Sequence, residues 1–196
     1  MSDNFDVVVI GSGPAGYVAA IRAGQLGMNV ACIEKWRSPN GASVNGGTCL
    51  NVGCIPSKAL LHTAKVITEA QDISKNGIVF SSPKIDMDKL RKWKNQTVSR
   101  LTKGLSLLAE KRNVQLLTGV GRFTGKNTLS VETSSGEKTV SFDYAIIAAG
   151  SSPKKVPGFS FEDPRIMDST DALEITEIPD KLLIIGGGII GLEMAS

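Results

Sequence analysis

The sequence has 196 residues, of which 41% are hydrophobic and 21% charged, and its formal net charge is +3. These values are ordinary for a globular protein with one large domain and part of another, and so small a charge gives no reason to expect a nucleic-acid partner. No apolar run reaches the ~20 residues that span a bilayer. The acidic start has no signal-peptide pattern, so we expect no export and no membrane association.

The first elements form a dinucleotide-binding pattern. Asp6–Ile10 is a β-branched run typical of a strand buried on both faces, Tyr17–Leu26 is typical of a helix, and Asn29–Glu34 is a second strand that ends in an acid. Between the first strand and the helix lies a G-x-G-x-x-G loop, Gly11-Ser12-Gly13-Pro14-Ala15-Gly16. Such glycines let the backbone approach a pyrophosphate at the helix start, and the acid binds a ribose hydroxyl pair. The alternative is an ordinary strand-to-helix turn.

A polar loop follows from Lys35 to Asn45, with a turn signal at Pro39-Asn40-Gly41. Trp36 in this loop is interpreted as a packing residue. Cys32 lies inside the second strand, where a small buried apolar residue is the favoured interpretation.

Two cysteines five residues apart, Cys49 and Cys54, stand in a glycine-containing segment just before a helical pattern. Residues five apart in a regular helix have Cα atoms about 8–9 Å apart, whereas a disulfide needs about 4.4–6.8 Å. If the two cysteines pair, the backbone between them must be unwound, and Gly53 permits this. The alternatives are two unpaired structural cysteines or half of a metal site. Cys32 and His62 do not form a second ligand pair, so we expect no metal.

The lack of export features favours a reducing compartment, the cytoplasm, where a disulfide is more often catalytic than structural. Thiols near the start of a helix favour the reactive thiolate. The next helix is predicted from Ser57 to Ala70, and it places Lys58 one turn from Cys54. A solvated lysine is the ordinary alternative, but closeness to a thiol favours a functional cation.

The middle of the chain predicts one long helix, Asp86–Lys111, whose basic residues are interpreted as a solvated face. Short strands predicted to form an antiparallel meander follow: Val114–Leu117, Val120–Phe123, Thr128–Glu132 and Val140–Phe142. Tyr144–Ser151 predicts another buried strand, which closes on small residues that would let a cofactor pass close to the backbone.

A second strand–glycine–helix pattern ends the chain. Leu182–Ile185 predicts a strand, and a second G-x-G-x-x-G loop from Gly186 to Gly191 leads into a helix start. We therefore expect an α/β fold: a Rossmann-like domain with a parallel sheet and a small meander at 1–152, a crossing segment at 153–180, and the truncated start of a second Rossmann-like domain at 181–196.

The segment Gly47-Thr48-Cys49-Leu50-Asn51-Val52-Gly53-Cys54-Ile55-Pro56-Ser57-Lys58 resembles the redox motif of the flavin-dependent pyridine nucleotide–disulfide oxidoreductases. The resemblance extends over essentially the whole chain. Ser57 followed by Lys58 is similar to the dihydrolipoamide-oxidising branch and differs from glutathione reductase-like chains; the mercuric reductase branch is the nearest alternative. The polar loop before Cys49 is longer than is usual in the family.

The resemblance implies FAD and NAD as cofactors and a role for each matched residue. Cys49 would exchange thiols with the substrate, Cys54 would face the flavin, and Lys58 would lie near the reactive ring nitrogen. The residues expected at the FAD site are Gly11, Ser12, Gly13, Pro14, Ala15, Gly16, Glu34, Lys35, Gly47, Thr48, Lys58, Gly119, Ala149, Gly150 and Ser151. Those expected to begin the NAD site are Gly186, Gly188, Gly191 and Glu193.

The resemblance also implies oxidation of protein-bound dihydrolipoamide with reduction of NAD⁺, lipoyl domains of 2-oxo-acid dehydrogenase complexes as partners, and a homodimer when full length. Family members are more than twice as long, and their acid–base pair acts from a later domain across the dimer interface. This chain alone is therefore expected to be inactive. The alternatives are another disulfide reductase, such as a mercuric reductase, or a non-catalytic FAD-binding fragment.

Overall fold

A computed structural model describes residues 3–37 and 43–196. Its strands are β1 Asp3–Ile10, β2 Val30–Glu34, β3 Val114–Thr118, β4 Val120–Gly125, β5 Thr128–Thr133 and β6 Gly136–Ile147. Its helices are α1 Pro14–Gln25, α2 Gly47–Val52, α3 Cys54–Asp72, α4 Met87–Lys111, α5 Ser169–Ala172 and α6 Ile189–Ala195, with a 3₁₀ turn at Ile73–Asn76. The strands form one sheet in the order β3-β2-β1-β6-β5-β4.

Three of the five strand pairings in the described sheet are parallel. β1 pairs in parallel with β2 and β6, and β2 pairs in parallel with β3. Val8 and Val9 of β1 point to opposite faces and are fully buried, because one lies in the cluster with Phe142 and the other packs with Ala20 of α1. This confirms the expected α/β fold with a strand buried on both faces.

The small antiparallel meander expected after α4 is confirmed for β4, β5 and β6. Two details differ from the prediction. β3 joins the parallel sheet beside β2 instead of beginning a hairpin. The two strands predicted at 140–142 and 144–151 are one strand, β6, which pairs with β5 in its first half and with β1 from Val140 to Ile147. Tertiary pairing with the distant β1 keeps this strand continuous. Residues 148–151 are not in a strand.

The end of β6 is not buried as expected. Tyr144, Ile146 and Ile147 are exposed, although β6 still pairs with β1 as far as Ile147.

The strand predicted at 182–185 is also absent, although α6 follows it as expected. Residues 182–185 have no partner strand in the described parts of the chain, and a strand is defined by its pairing. The turn predicted at 39–41 lies outside the described residues.

The chain divides into two compact units. One comprises Met1–Asn51 and Arg100–Ser152 and contains the sheet; the other comprises Val52–Ser99 and Pro153–Ser196. Among the helices described, none is both long and apolar enough to cross a membrane.

Candidate functional site

The first glycine loop lies between β1 and α1. Gly11 has φ +101°, and a Cβ there would lie 2.2 Å from the carbonyl oxygen of Ala148. A Cβ at Gly16 would lie 1.8 Å from the carbonyl oxygen of Gly11. Both positions therefore need glycine to let the loop fold onto itself and onto the end of β6.

Gly13 differs from its two neighbours. It is the N-cap of α1 with an extended backbone, φ −69° and ψ −176°, and Pro14 begins the helix. A Cβ at Gly13 would meet nothing closer than the Cα of Gly47 at 3.8 Å. The loop therefore does not need glycine here for its own packing, which leaves close approach of a ligand as the physical reason for it.

An open cleft of about 410 Å³ runs along this loop. Its lining consists of the start of α1 and the segment after β6, namely Gly13, Pro14, Ala15, Ile147, Ala148, Ala149 and Gly150. Backbone N–H groups at the start of a helix attract anions. The cleft therefore suits an extended ligand with a phosphate group, and three of the six predicted glycine-loop residues line it together with the predicted Ala149 and Gly150.

Glu34 ends β2 beside the same loop and is buried. Its Oε2 accepts hydrogen bonds from the Ser12 N–H at 2.9 Å and the Ser12 hydroxyl at 2.6 Å, and its Oε1 accepts one from the Trp36 N–H at 2.8 Å. An ionised carboxylate has about four lone-pair sites. Glu34 can therefore hold the loop and still accept a hydrogen bond from a ligand hydroxyl.

Two other predicted FAD-site residues lie near Glu34 in the chain or in space. Lys35 is exposed. Gly119 donates its N–H to the Glu34 carbonyl at 2.8 Å, and a Cβ there would lie 2.4 Å from the carbonyl oxygen of Glu132. Packing of β3 and β4 against β5 thus explains this glycine without a ligand.

The segment before the cysteines is fixed to the glycine loop. The Gly46 N–H donates to the Ser12 carbonyl at 2.9 Å. Gly47 has φ +59°, and a Cβ there would lie 2.6 Å from the Cα of Gly13. Helix α2, which carries Thr48 and Cys49, therefore starts in direct contact with the loop that lines the cleft.

Cys49 and Cys54 are disulfide-bonded, and Cys32 is a free, buried thiol. The chain has three cysteines, so the disulfide joins Cys49 to Cys54. Gly53 separates the last residue of α2 from the first residue of α3 with φ −147° and ψ −114°, which interrupts the helix between the two sulfurs. Cys49 is half-buried and Cys54 is exposed, so the bond is open to an incoming thiol.

Lys58 and Ser57, in the first turns of α3, both bind Glu193 of α6. The Ser57 hydroxyl donates to Glu193 Oε2 at 2.6 Å, and the Lys58 ammonium forms an ion pair with Glu193 Oε1. The Lys58 hydrogen bond first, and then the Ser57 hydrogen bond, lower the pKa of Glu193. Sequence reasoning used Ser57 to separate branches of a family but did not predict this contact. The partners are 136 residues apart, so no local pattern could have shown it.

The second glycine loop repeats the backbone geometry of the first. Gly186 has φ +112°, the N-cap Gly188 has φ −74° and ψ 176°, and a Cβ at Gly191 would lie 2.0 Å from the Gly186 carbonyl oxygen. In the first loop, Gly11 has φ +101°, the N-cap Gly13 has φ −69° and ψ −176°, and a Cβ at Gly16 would lie 1.8 Å from the Gly11 carbonyl oxygen. The second glycine loop therefore has the same backbone form as the first, although the strand before it is not formed.

No group of three or more metal-ligating side chains suited to a metal ion occurs within residues 3–37 and 43–196. His62, which was not assigned a role, is exposed.

Comparison with known proteins agrees with this geometry. The family model described as pyridine nucleotide-disulphide oxidoreductase matches residues 5–196. A dihydrolipoyl dehydrogenase of Vibrio cholerae is 56% identical over 190 residues, which are 97% of this chain and 39% of that protein. A leghemoglobin reductase of Vigna unguiculata is 48% identical over 197 residues, covering 100% of this chain and 36% of that protein.

Among solved structures, the HOCl-induced flavoprotein disulfide reductase RclA of Escherichia coli, as its Cu(II) complex, has a TM-score of 0.78 at 30% identity. The superposition covers 100% of this chain and 40% of the RclA chain. The chain thus spans about two fifths of the length of the proteins it matches.

Proposed function

Because this chain belongs to the pyridine nucleotide–disulphide oxidoreductase family, we propose that the full-length protein is an FAD-dependent dihydrolipoamide dehydrogenase that reduces NAD⁺. The observation that carries the proposal is the disulfide between Cys49 and Cys54, in which Cys49 lies on α2, the helix whose first residue packs against Gly13 of the glycine loop. Identities of 50–56% to four curated dihydrolipoyl dehydrogenases support this choice of activity within the family.

The residues of the first unit fit FAD. Gly13 lines the cleft and a Cβ there would meet only the Gly47 Cα at 3.8 Å, which would leave space for a pyrophosphate, and the buried Glu34 has acceptor capacity for a ribose. Ala149 and Gly150 line the cleft after the end of β6, and Ser151 is proposed to join them at the cofactor. The second loop, from Gly186 to Gly191, has the matching geometry for NAD. Bound FAD would supply the two-electron chemistry that links the reduced cysteine pair, Cys49 and Cys54, to the nicotinamide.

The cysteine chemistry is thiol–disulfide exchange. A thiolate of dihydrolipoamide attacks the sulfur of Cys49, which forms a mixed disulfide and releases Cys54 as a thiolate. The second thiol of the substrate, once deprotonated, attacks the substrate sulfur of that mixed disulfide. Lipoamide leaves with its own disulfide formed, and Cys49 leaves as a thiolate. The substrate has then lost two electrons and two protons, and the cysteine pair has gained the electrons.

Lys58 is proposed to serve the flavin end of the site, with Glu193 as its counter-ion. A carboxylate whose pKa is held low stays ionised at neutral pH, and its ion pair orients the lysine side chain. Thr48 is proposed to lie at the same end of the site.

The remaining features of the proposal concern the whole protein. Its partners would be lipoyl domains of 2-oxo-acid dehydrogenase complexes, it would act in the cytoplasm, and it would be a homodimer. Residues 1–152 would form the FAD domain, 153–180 the crossing segment, and 181–196 the start of the NAD domain. The residues beyond this chain would supply the acid–base pair.

A second candidate is a disulfide reductase with another substrate, such as a mercuric reductase. The likeness to the flavoprotein disulfide reductase RclA over the whole chain favours it, because the same fold serves that enzyme. A third is that these 196 residues bind FAD without turnover when isolated.

The deciding experiment is a steady-state assay of the full-length protein with dihydrolipoamide and NAD⁺, and with NADH and lipoamide, glutathione disulfide or Hg²⁺. We expect turnover with the lipoamide substrates. Cys54→Ser should abolish that turnover and keep the bound flavin, whereas Cys32→Ala should keep both. Full lipoamide activity in Cys54→Ser would refute the assignment, and preferred turnover of glutathione disulfide or Hg²⁺ would favour the second candidate.

A further inference from the structure

Asn45, two residues before α2, is a buried polar residue that sequence reasoning assigned only to a loop. It is 6% exposed, and its Nδ2 donates to the hydroxyl of Ser106 in α4 at 3.1 Å. The Ser106 hydroxyl in turn donates to the carbonyl of Thr102 at 3.2 Å, and the Ser43 hydroxyl donates to Asn45 Oδ1 at 3.3 Å. Burial of an amide is costly unless it is hydrogen-bonded, so this relay gives the side chain one defined position.

The backbone of the same residue is bound by the helix that carries Cys49. The side-chain amide of Asn51 donates to the carbonyls of Asn45 at 3.0 Å and Gly47 at 2.9 Å. The adjacent Gly46 N–H donates to the carbonyl of Ser12. Asn45 therefore stands where the first glycine loop, α2 and α4 are tied together.

Helix α2 needs such an attachment because it has six residues and none of them is buried. A helix this short gains too few hydrogen bonds to be stable alone, so its position depends on tertiary contacts. The backbone at Cys49 is accordingly held from its N-terminal side by the turn at Asn45.

We propose that Asn45, through Ser106, is a positioning residue for thiol–disulfide exchange at Cys49. The inference rests on the proposed function. Closure of the disulfide depends on the effective concentration of one cysteine thiol at the other, and a fixed backbone raises that concentration. Loss of the Asn45–Ser106 bond frees the turn, lowers this effective concentration and favours the open dithiol.

The test uses the full-length holoenzyme with Asn45→Ala, Ser106→Ala and the double variant. The matched control is Thr97→Ala, which removes a similar hydroxyl bonded to the carbonyl four residues earlier on the same helix. Each protein is equilibrated with mixtures of reduced and oxidised dithiothreitol, and the Cys49–Cys54 dithiol is quantified by alkylation and mass spectrometry. Dithiothreitol supplies both electrons and both protons of the reduction and leaves as its cyclic disulfide.

We expect the equilibrium constant for reduction to rise about three- to tenfold in Asn45→Ala and in Ser106→Ala, where tenfold corresponds to about 30 mV. The double variant should match the single ones, because both remove one interaction. Turnover with lipoamide should fall about three- to tenfold. NADH oxidation by a dye that takes electrons directly from the flavin should stay unchanged, which a general loss of folding would not allow.

An unchanged equilibrium constant in both single variants, or an equal change in Thr97→Ala, would overturn the proposal. If Asn45→Ala fails to fold, Ser106→Ala decides alone, because alanine is favourable inside a helix. Failure of the proposed function has a different result: the wild-type holoenzyme would show no lipoamide turnover at all.

Discussion

Two alanine substitutions in one loop, Gly16→Ala and Gly13→Ala, separate the packing role of a glycine from its ligand-binding role. At Gly16 the added carbon would lie 1.8 Å from the Gly11 carbonyl oxygen, whereas carbon–oxygen contacts of this kind normally begin near ~3.3 Å. The obstacle is backbone, so the loop or α1 must move. Such overpacking costs about 1–3 kcal/mol or more, which exceeds the ~1 kcal/mol that alanine gains over glycine inside a helix.

At Gly13 the same change meets only the Gly47 Cα at 3.8 Å, an ordinary contact, and the backbone angles suit alanine. Alanine lowers the chain entropy of the unfolded state, which stabilises the fold, and is a poorer N-cap than glycine, which destabilises it. Each effect is less than about 1 kcal/mol, so the two nearly cancel. We therefore expect nearly unchanged stability. The new methyl group stands beside the cleft, so the dissociation constant for FAD should rise about tenfold or more.

The measurements are urea unfolding of the flavin-free full-length protein, followed by circular dichroism, and calorimetric titration with FAD. Gly16→Ala should lose at least about 1 kcal/mol of unfolding free energy, and Gly13→Ala should lose FAD affinity alone. Equal destabilisation by both substitutions, or wild-type FAD affinity in Gly13→Ala, would refute the reasoning.

Three further predictions follow from single side chains. Burial first, and then the charge of Glu34, raises the pKa of Cys32 to about 12. Ellman's reagent should therefore detect two thiols in the reduced native protein and a third one only in denaturant. Rapid reaction of three thiols in the native protein would contradict this. Lys94→Ala should lower the unfolding free energy measured in urea by about 2 kcal/mol, because the buried ammonium donates to the Leu173 carbonyl at 2.6 Å. Lys92 is exposed, and the control substitution Lys92→Ala should change the unfolding free energy by less than about 0.5 kcal/mol. The pKa of Glu193 is lowered in the folded protein, so the stability from its ion pair is fully present above the ordinary glutamate pKa of about 4.3 and is lost as the pH falls through the folded value. The difference in unfolding free energy between wild type and Glu193→Gln, measured by urea titration, should therefore shrink in acid. A difference that is constant with pH would argue against the pair.

Local patterns were the reliable part of the sequence interpretation. β1, α1 and β2 occur where the apolar runs and the glycine loop predict them, and Gly53 interrupts the helix between the cysteines. The predictions that failed concern pairing. The position of β3 beside β2, and the continuity of β6, depend on strands that are far away in the sequence.

The sequence by itself determined the two glycine turns, since the sterics of the backbone at a few glycines decide the form of a turn. Gly186 to Gly191 has its turn even without a strand before it. Only the tertiary structure decided which strands are neighbours, that Ser57 and Lys58 meet Glu193, and that Asn45 reaches Ser106. The physical reason is the range of the interactions. A torsion angle is limited by atoms within a few bonds, whereas a strand pair or a buried hydrogen bond joins residues whose separation in the sequence carries no periodic signal.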